Sequence, residues 1–202
     1  MNETLKLVTT LTIVCLLSAF LLSIVNKLTA NRIYEQARIE KLQAVTESLP
    51  KDILQYDNDP SKDTLKIEEW KDIDNMPKEI YVGKRKNKPV GFAFTSIGEG
   101  YGGVIVIMMG IDVSGKVTGI EIIEHHETPG LGANIENPEF KDQFRNKNFQ
   151  QGDFIVIKGR KPNENLEVEA ITGATISSRG VVQAVNDGLA KFNMYKKYLL
   201  GS

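Results

Sequence analysis

A short stretch rich in hydroxyl side chains, from Glu169 to Ser178, holds the residues best suited to chemistry. Within it lie four hydroxyl residues, a glycine and an alanine: Thr172, Gly173, Ala174, Thr175, Ser177 and Ser178. A helical pattern follows, and Ser178 or Ser177 is expected to cap it, because a short hydroxyl accepts hydrogen bonds from first-turn N–H groups. Free N–H groups, the positive end of a helix dipole and a glycine together suit an anion such as phosphate. An ordinary capped turn without a ligand is the alternative that these residues leave open.

A second stretch, Glu127 to Gly132, reads Glu-Thr-Pro-Gly-Leu-Gly. Pro129 and Gly130 predict a tight turn, and Leu131 could simply be a core contact. The same residues would also let a flat ring approach the backbone closely, with Leu131 as its apolar support and Thr128 as a hydrogen-bond donor. A structural turn and a ring-binding loop are both compatible with this stretch.

The two stretches together resemble a known family. Thr172-Gly-Ala-Thr175 followed by Ile176-Ser-Ser is similar to the flavinylation motif, Ser/Thr-Gly-Ala-Thr-x-Ser/Thr, of FMN-binding subunits in ion-translocating respiratory complexes. These proteins are the G subunit of the Rnf complex and the C subunit of the sodium-pumping NADH:quinone reductase. With His125 before it, the second stretch resembles that family's His-x-Glu-Thr-Pro-Gly-Leu-Gly. The compact Gly98–Gly103 loop and the short chain resemble the Rnf protein more closely.

The resemblance implies that FMN is joined through its phosphate to Thr175 by a separate flavin-transferring maturation enzyme. It implies a phosphate cradle of Thr172, Gly173, Ala174, Ser177 and Ser178, and a ring site that comprises Glu127, Thr128, Pro129, Gly130, Leu131, Tyr101 and Gly102. Where the family often has Asp six residues before the acceptor, this chain has Glu169, which keeps the carboxylate.

Other kinds of site lack their patterns. His125 and His126 are the only histidines, and neighbours on a strand would point to opposite faces, so no metal site is expected. The chain has no His-Glu-x-x-His, no Gly-x-Ser-x-Gly and no Gly-x-Gly-x-x-Gly before a helix. We therefore expect no catalytic residue and no stand-alone catalysis.

Composition narrows the partners. The formal net charge of −1 and the absence of basic blocks argue against nucleic acid. Cys15 is the only cysteine, so neither an intrachain disulfide nor a thiolate metal site can form within the chain.

An uncharged run from Leu7 to Val25 is long enough to cross a bilayer as a helix. A cleaved signal peptide is the alternative, but the run is long for one, and Leu28-Thr-Ala30 is a poor cleavage site. More positive charges follow the run than precede it, which by the positive-inside rule would place the large domain in the cytoplasm. The resemblance implies the opposite, extracytoplasmic face, and we adopt that expectation.

Among the elements that must position the site, strands outnumber helices and hairpins outnumber βαβ crossovers. This predicts an α+β fold with a mostly antiparallel sheet and packed helices after one transmembrane helix. Helix is expected from Leu28 to about Leu49, with one apolar stripe of Ile39, Leu42, Thr46 and Leu49. The expected organisation is an anchor (1–30), an amphipathic linker helix (31–50), a connecting segment (51–78) and an FMN-binding domain (79–202). Strands are predicted at Leu65–Glu69, Glu79–Lys84, Val90–Ile97, Val104–Asp112, Val117–Ile123, Asp153–Lys158 and Leu166–Glu169, with a turn at Pro162–Asn165 and helices around Phe140–Phe144 and Val181–Phe192.

The expected function is that of a membrane-anchored electron-transfer subunit with covalent FMN in an ion-translocating ferredoxin:NAD oxidoreductase (Rnf) complex. Its expected partners are the other membrane and peripheral subunits, the maturation enzyme and the lipid bilayer. Three alternatives stay open: the related flavin subunit of a quinone reductase, a flavin-linked reductase protein outside any ion pump, and a non-redox anchored anion-binding module. Neither the coupling ion nor the flavin potential can be inferred from the residues.

Overall fold

The computed structural model describes residues 2–65, 77, 79–147, 152–163 and 166–200, and the chain divides into two units, residues 1–40 and 41–202. In the first unit the chain is helical from Glu3 onward, as part of α1 (Glu3–Ser48). Among the described residues, α1 is the one helix long and apolar enough to cross a membrane. The apolar side chains of its Leu7–Val25 run are all exposed in the protein chain, as a lipid-facing helix requires.

A five-stranded antiparallel sheet forms the second unit's framework, with its strands adjacent in chain order. The strands are β1 (Thr64–Leu65), β2 (Ile80–Arg85), β3 (Lys88–Glu99), β4 (Val104–Asp112) and β5 (Val117–Glu124). The predicted hairpins are confirmed, and the turn between β2 and β3 is narrower than expected. Only Lys86 and Asn87 lie between these two strands, both with positive φ, as a tight two-residue hairpin turn demands. The part of the predicted Leu65–Glu69 strand after Leu65 lies outside the described residues.

Both faces of this sheet are buried. Alternate residues point to opposite sides, so Phe92 and Phe94 join one apolar cluster whereas Ala93 joins another. The first cluster packs against α4 (Thr175–Leu200), and the second against the last turns of α1. β4 lies between β3 and β5 and contributes to both clusters, which explains its continuous apolar run.

The last turns of α1 confirm the predicted helix but not its full apolar stripe. Ala44, Val45 and Leu49 are buried against the sheet, whereas Ile39 and Thr46 are exposed. The predicted stripe is therefore rotated away from the face that packs. The helix packs through a different face because its end approaches the sheet closely there. Thr118 Oγ1 of β5 donates a 2.6 Å hydrogen bond to the Ser48 carbonyl at the helix end.

Helix α4 lies directly on β3, where two glycines meet. A Cβ on Gly98 would lie 1.9 Å from the Gly180 carbonyl oxygen, and one on Gly180 would lie 2.5 Å from the Glu99 carbonyl oxygen. No other residue fits either position without separating the two elements. Further along the helix, Ser96 Oγ donates to the Ala184 carbonyl at 2.7 Å. These contacts fix the first turns of α4 beside the β3–β4 loop.

The remaining elements are short: α2 (Lys51–Leu54), a 3-10 turn (Gly132–Glu136), α3 (Pro138–Lys141), a second 3-10 turn (Asp142–Phe144), β6 (Ile155–Ile157) and β7 (Glu167–Glu169). Phe140 and Phe144 are buried, as the predicted helical segment required. β6 is shorter than the predicted strand, and it pairs with β7 in parallel rather than as a hairpin. Part of the predicted Pro162–Asn165 turn lies outside the described residues. With one parallel pair beside five antiparallel strands, the α+β expectation is confirmed.

Candidate functional site

A cavity of about 880 Å³ opens at the start of α4, a size typical of small-molecule sites. Three chain segments form its walls: the Thr-rich turn (residues 170–177), the loop after β5 and the segment after β6. Tyr101 of the β3–β4 loop also lines it. Its lining comprises Tyr101, Glu127, Thr128, Leu131, Gly132, Lys158, Gly159, Ala170, Ile171, Thr172, Gly173, Ala174, Thr175, Ile176 and Ser177.

The first wall is the turn that leads into α4. The helix begins at Thr175, and its first intrahelical hydrogen bond runs from the Ser178 N–H to the Ala174 carbonyl at 3.0 Å. The prediction that Ser177 or Ser178 caps the helix is therefore wrong, because both lie inside its first turn. Thr175, Ile176 and Ser177 precede the first N–H with an intrahelical acceptor, so the positive end of α4 lies at Thr175.

Ser178 holds this turn in shape. Its Oγ accepts a 3.0 Å hydrogen bond from the Ile171 N–H and donates one of 3.0 Å to the Ala174 carbonyl, and the residue is fully buried. Gly173 supplies the left-handed conformation that the turn needs, with φ of 80°. A Cβ there would lie 3.3 Å from Leu131, so the glycine also keeps the two walls close.

The second wall is the loop that follows β5. The Thr128 carbonyl accepts hydrogen bonds from the N–H groups of Leu131 and Ala133, both at 3.1 Å, and Gly130 has φ of 74°. The tight turn predicted for this stretch is confirmed. Leu131 is not a core residue, since it is 48% exposed and faces the cavity.

The third wall, Lys158 and Gly159, was absent from the sequence-based prediction. The next residue, Arg160, donates through both guanidinium nitrogens to the two carboxylate oxygens of buried Glu167, a bidentate pair that ties this segment to β7. Lys147 Nζ donates to the Glu167 carbonyl at 2.9 Å, and burial lowers the pKa of Lys147 although Glu167 opposes this. Only the parallel β6–β7 pairing brings the segment here, and no local pattern in the sequence indicates that pairing.

The structure brings nine of the thirteen predicted site residues to the cavity wall: Tyr101, Glu127, Thr128, Leu131, Thr172, Gly173, Ala174, Thr175 and Ser177. Four do not line it: Gly102, Pro129, Gly130 and Ser178. The prediction missed Gly132, Lys158, Gly159, Ala170, Ile171 and Ile176. Of these, Gly132, Ala170, Ile171 and Ile176 could have been found, because they lie within the two stretches already singled out.

His125 lies beside the site without lining it. β5 ends at Glu124, so the two histidines follow the strand rather than belonging to it. The Nδ1 atom of His125 accepts from the Glu127 N–H at 3.0 Å, which leaves Nε2–H to donate to Glu136 at 2.9 Å. Within the described part of the chain, no group of three or more His, Cys, Asp or Glu side chains could hold a metal ion.

The cavity lining combines polar and apolar side chains. Thr172 and Thr175 bring hydroxyls near the positive end of α4, and Leu131, Ile176 and Tyr101, which are about half or more exposed, offer apolar surface. A phosphate with an attached flat, largely apolar ring system matches this combination, so the residues present fit FMN.

Comparison with known proteins defines the class first. Residues 100–190 match the FMN-binding domain family. Among solved structures, Shewanella oneidensis NqrC has the same fold, with a TM-score of 0.55 and 21% identity over 70% of each chain.

Relatives that align along most of the chain then identify the family. The chain is 33% identical to the G subunit of the Acetobacterium woodii Na⁺-translocating ferredoxin:NAD⁺ oxidoreductase complex, over 95% of this chain and 93% of that one. It is 34% identical to the G subunit of the Photorhabdus laumondii ion-translocating oxidoreductase complex, over 87% and 84%. A third relative, the equivalent protein of a proton-translocating complex from Clostridium ljungdahlii, is 32% identical over 60% and 63%. The chain belongs to the family of G subunits of ion-translocating oxidoreductase complexes.

Proposed function

We propose that this protein is the membrane-anchored, FMN-carrying electron-transfer subunit of an ion-translocating ferredoxin:NAD oxidoreductase complex. One observation carries the proposal: Thr172-Gly-Ala-Thr175 lines a cavity at the start of α4, opposite the Glu127–Gly132 loop. Family membership supports the same role, because the A. woodii relative is named for that reaction and aligns along nearly its whole length. The alternatives of a quinone-reductase protein and a non-redox module have no comparable support.

The phosphate of FMN would lie near Thr172, Gly173 and Thr175. The isoalloxazine ring would lie against Leu131 and beside Tyr101. When bound, FMN supplies reversible electron uptake and release. The chain's own contribution is to bind and orient the cofactor, and its neighbouring subunits would supply and remove the electrons.

Thr175 would hold FMN covalently. In this attachment Thr175 Oγ1 forms a bond to the phosphorus of a flavin nucleotide, the hydroxyl proton is lost, and the bond to the nucleotide's phosphate-linked leaving group breaks. No electrons change hands, and the net mass gain equals FMN minus one water. A separate flavin-transferring enzyme would provide the activated donor.

The expected partners follow from the same proposal. The other membrane and peripheral subunits would carry the ferredoxin, NAD and ion sites, since this chain has no motif for any of them. The coupling ion stays open, because relatives of sodium-translocating and proton-translocating complexes both match the chain. The apolar run of α1 would anchor the protein in the bilayer, with the flavin domain on the extracytoplasmic face.

The test is mass spectrometry of the intact protein and its peptides after expression in the native host. A mass gain of FMN minus water on the peptide that contains Thr175 is expected, absent from the Thr175→Ala variant. The matched control is Thr46→Ala, which removes an exposed hydroxyl outside the cavity and should retain the added mass on Thr175. An unmodified wild-type peptide, with no flavin fluorescence after denaturation, would refute covalent attachment.

A further inference from the structure

Glu127 is a buried carboxylate whose two oxygens are held by two different segments. Its Oε1 accepts a 2.8 Å hydrogen bond from the Gly102 N–H, and its Oε2 accepts one of 2.5 Å from Ser177 Oγ. Glu127 and Ser177 are 6% and 1% exposed, so solvent scarcely competes for these bonds. One side chain therefore joins the β3–β4 loop, the loop after β5 and the first turn of α4.

The glycines that flank this carboxylate leave no space for a side chain of their own. A Cβ on Gly100 would lie 2.2 Å from Glu127 Oε1, and one on Gly132 would lie 2.5 Å from Oε2 and 2.6 Å from Ser177 Oγ. The glycines on either side thus let both loops close onto the carboxylate. Such a fit indicates that the carboxylate sets the spacing of the segments that it joins.

These segments carry the residues that the cofactor needs. Ser177 is two residues after Thr175 on α4, Gly102 adjoins Tyr101, and Thr128 adjoins Glu127 itself. A shift of any one segment would move a wall of the cavity relative to the Thr175 hydroxyl. Among the described residues, no cation forms an ion pair with Glu127, so its hydrogen bonds rather than a salt bridge define its place.

We propose that Glu127 is a positioning residue: by tying Gly102 to Ser177 it holds the cavity walls in register and fixes where the first turn of α4 presents Thr175. This inference rests on the proposed function, because its consequence is efficient attachment of FMN to Thr175. It differs from the resemblance-based expectation, in which Glu127 contacts the cofactor. The requirement is for a side chain of glutamate's length with hydrogen-bonding atoms at both tips.

The Glu127→Gln variant distinguishes a positioning role of this side chain from a requirement for its negative charge. In Glu127→Gln the amide oxygen can accept from the Gly102 N–H while the amide nitrogen donates to Ser177 Oγ. Glu127→Ala removes both contacts, so the Gly102 N–H loses its acceptor and the buried Ser177 hydroxyl loses its partner. Glu124→Gln is the matched control, since Glu124 is an exposed carboxylate on the same segment.

Two quantities are measured on the full chain in detergent. The first is the fraction of Thr175 peptide that carries FMN after expression in the native host. The second is the hydrogen-exchange rate of the Gly102 amide in a Thr175→Ala background, which carries no covalent flavin. We expect Glu127→Ala to lower the attached fraction and accelerate Gly102 exchange, each at least about tenfold, and Glu127→Gln to restore most of both. Glu124→Gln should match the wild type.

Ser177→Ala removes the hydrogen bond to Glu127 from the α4 side and should also lower the fraction of Thr175 peptide that carries FMN. The inference can therefore still be tested if Glu127→Ala does not fold. Wild-type attachment in both Glu127→Ala and Ser177→Ala would overturn the inference, as would a Glu127→Gln variant no better than Glu127→Ala. If the wild type itself carries no flavin, the proposed function fails, while the Gly102 exchange rates still decide whether Glu127 positions the loop.

Discussion

Hydroxyl side chains that are neighbours in the Thr-rich turn serve different purposes. Thr172 and Thr175 line the cavity and are exposed or half-buried. Ser177, also at the cavity wall, and Ser178, outside its lining, are almost fully buried. Ser177 donates to Glu127, and Ser178 closes the turn on itself. The spacing of the four hydroxyls along the chain does not reveal this division, because it depends on where the helix begins.

Loss of the Ser178 hydroxyl should destabilise the domain. In Ser178→Ala the buried Ile171 N–H loses its acceptor, which costs about 1–3 kcal/mol of the free energy of unfolding. The measurement is urea unfolding of the full chain in detergent, followed by circular dichroism. Thr46→Ala, which removes an exposed helical hydroxyl, should change the free energy by less than about 0.5 kcal/mol. Equal effects of the two substitutions would mean that Ser178 is not needed to hold the turn.

The residue types therefore predicted where the candidate site lies, but they did not predict the hydrogen bonds within it. The Thr-rich turn and the Glu127–Gly132 loop were both predicted to bind a ligand, and both contribute residues to the lining of one cavity. The capping role of Ser177 and Ser178 was wrong because Thr175 begins the helix, although Val181, Val185 and Leu189 are buried as predicted. A helix start that is shifted by a few residues leaves the apolar face unchanged, so the periodicity could not detect the error.

At the scale of elements, the approach of α4 to β3 decides where the site lies. Gly98 and Gly180 allow backbone to meet backbone, and the Ser96–Ala184 hydrogen bond continues the contact. The start of α4 is thereby held next to the β3–β4 loop. The cavity is a consequence of this close packing, since a wider separation would part Thr175 from Tyr101.

A methyl group at Gly98 should separate the two elements. In Gly98→Ala the Cβ would collide with the Gly180 carbonyl, and such overpacking costs about 1–3 kcal/mol. The same variant should lower FMN attachment to Thr175. Gly83→Ala is the control, because its Cβ meets nothing closer than 3.4 Å and its φ is ordinary. Thermal unfolding and peptide mass spectrometry measure both effects, and equal behaviour of the two variants would contradict the argument.

A polar cluster on the α1 side of the sheet should make stability depend on alkaline pH. Lys41 Nζ and the Tyr81 hydroxyl each donate to Glu79 at 3.1 Å. Burial would lower the pKa of Lys41, but Tyr81 and Glu79 outweigh it and raise that pKa, while burial raises the pKa of Tyr81. A raised folded-state pKa gives stability that is present below the unfolded value and lost as pH rises through the folded value.

The free energy of unfolding should accordingly fall as pH rises beyond 10.0 to 10.5, the ordinary values for these groups. Urea unfolding at a series of alkaline pH values measures the slope. The double variant Lys41→Met with Tyr81→Phe should show a shallower fall, whereas Lys88→Met, at an exposed lysine of β3, should keep the wild-type slope. An unchanged slope in the double variant would exclude the cluster as its source.

Elements joined by short turns were predictable, and those joined by longer segments were not. Alternation and turn residues predicted where β2 to β5 begin and end to within two residues. Nothing local indicates that β6 and β7 pair in parallel, since that choice depends on how the chain returns across Arg160 and Glu167. The third wall of the cavity, including Lys158, was missed for the same reason.

At the scale of the whole molecule, two arguments about the membrane disagree. Lys6 precedes the apolar run of α1, whereas Lys27, Arg32, Arg38 and Lys41 follow it, and this bias favours a cytoplasmic domain. The resemblance favours the extracytoplasmic face. Charge bias is a statistical tendency of insertion, and association with other subunits can override it. We therefore keep the extracytoplasmic orientation as the prediction to test.

Cysteine labelling decides the orientation. Cys15 is the only cysteine, so Cys15→Ser gives a background without thiols. Into it we would place Ala190→Cys, at an exposed position of α4, or Asn2→Cys, at the exposed N-terminal end of α1. A membrane-impermeant thiol reagent on intact cells, with any outer membrane permeabilised, should label Ala190→Cys fully and Asn2→Cys only after lysis.

The two cysteines act as controls for one another, because a single crossing by α1 must place them on opposite sides. Labelling of Asn2→Cys alone in intact cells would show that the positive-inside bias prevails and the domain is cytoplasmic. Labelling of both before lysis would mean that α1 does not span the bilayer. The result also constrains attachment of FMN, because the flavin-transferring enzyme must act on the side of the membrane where Thr175 lies.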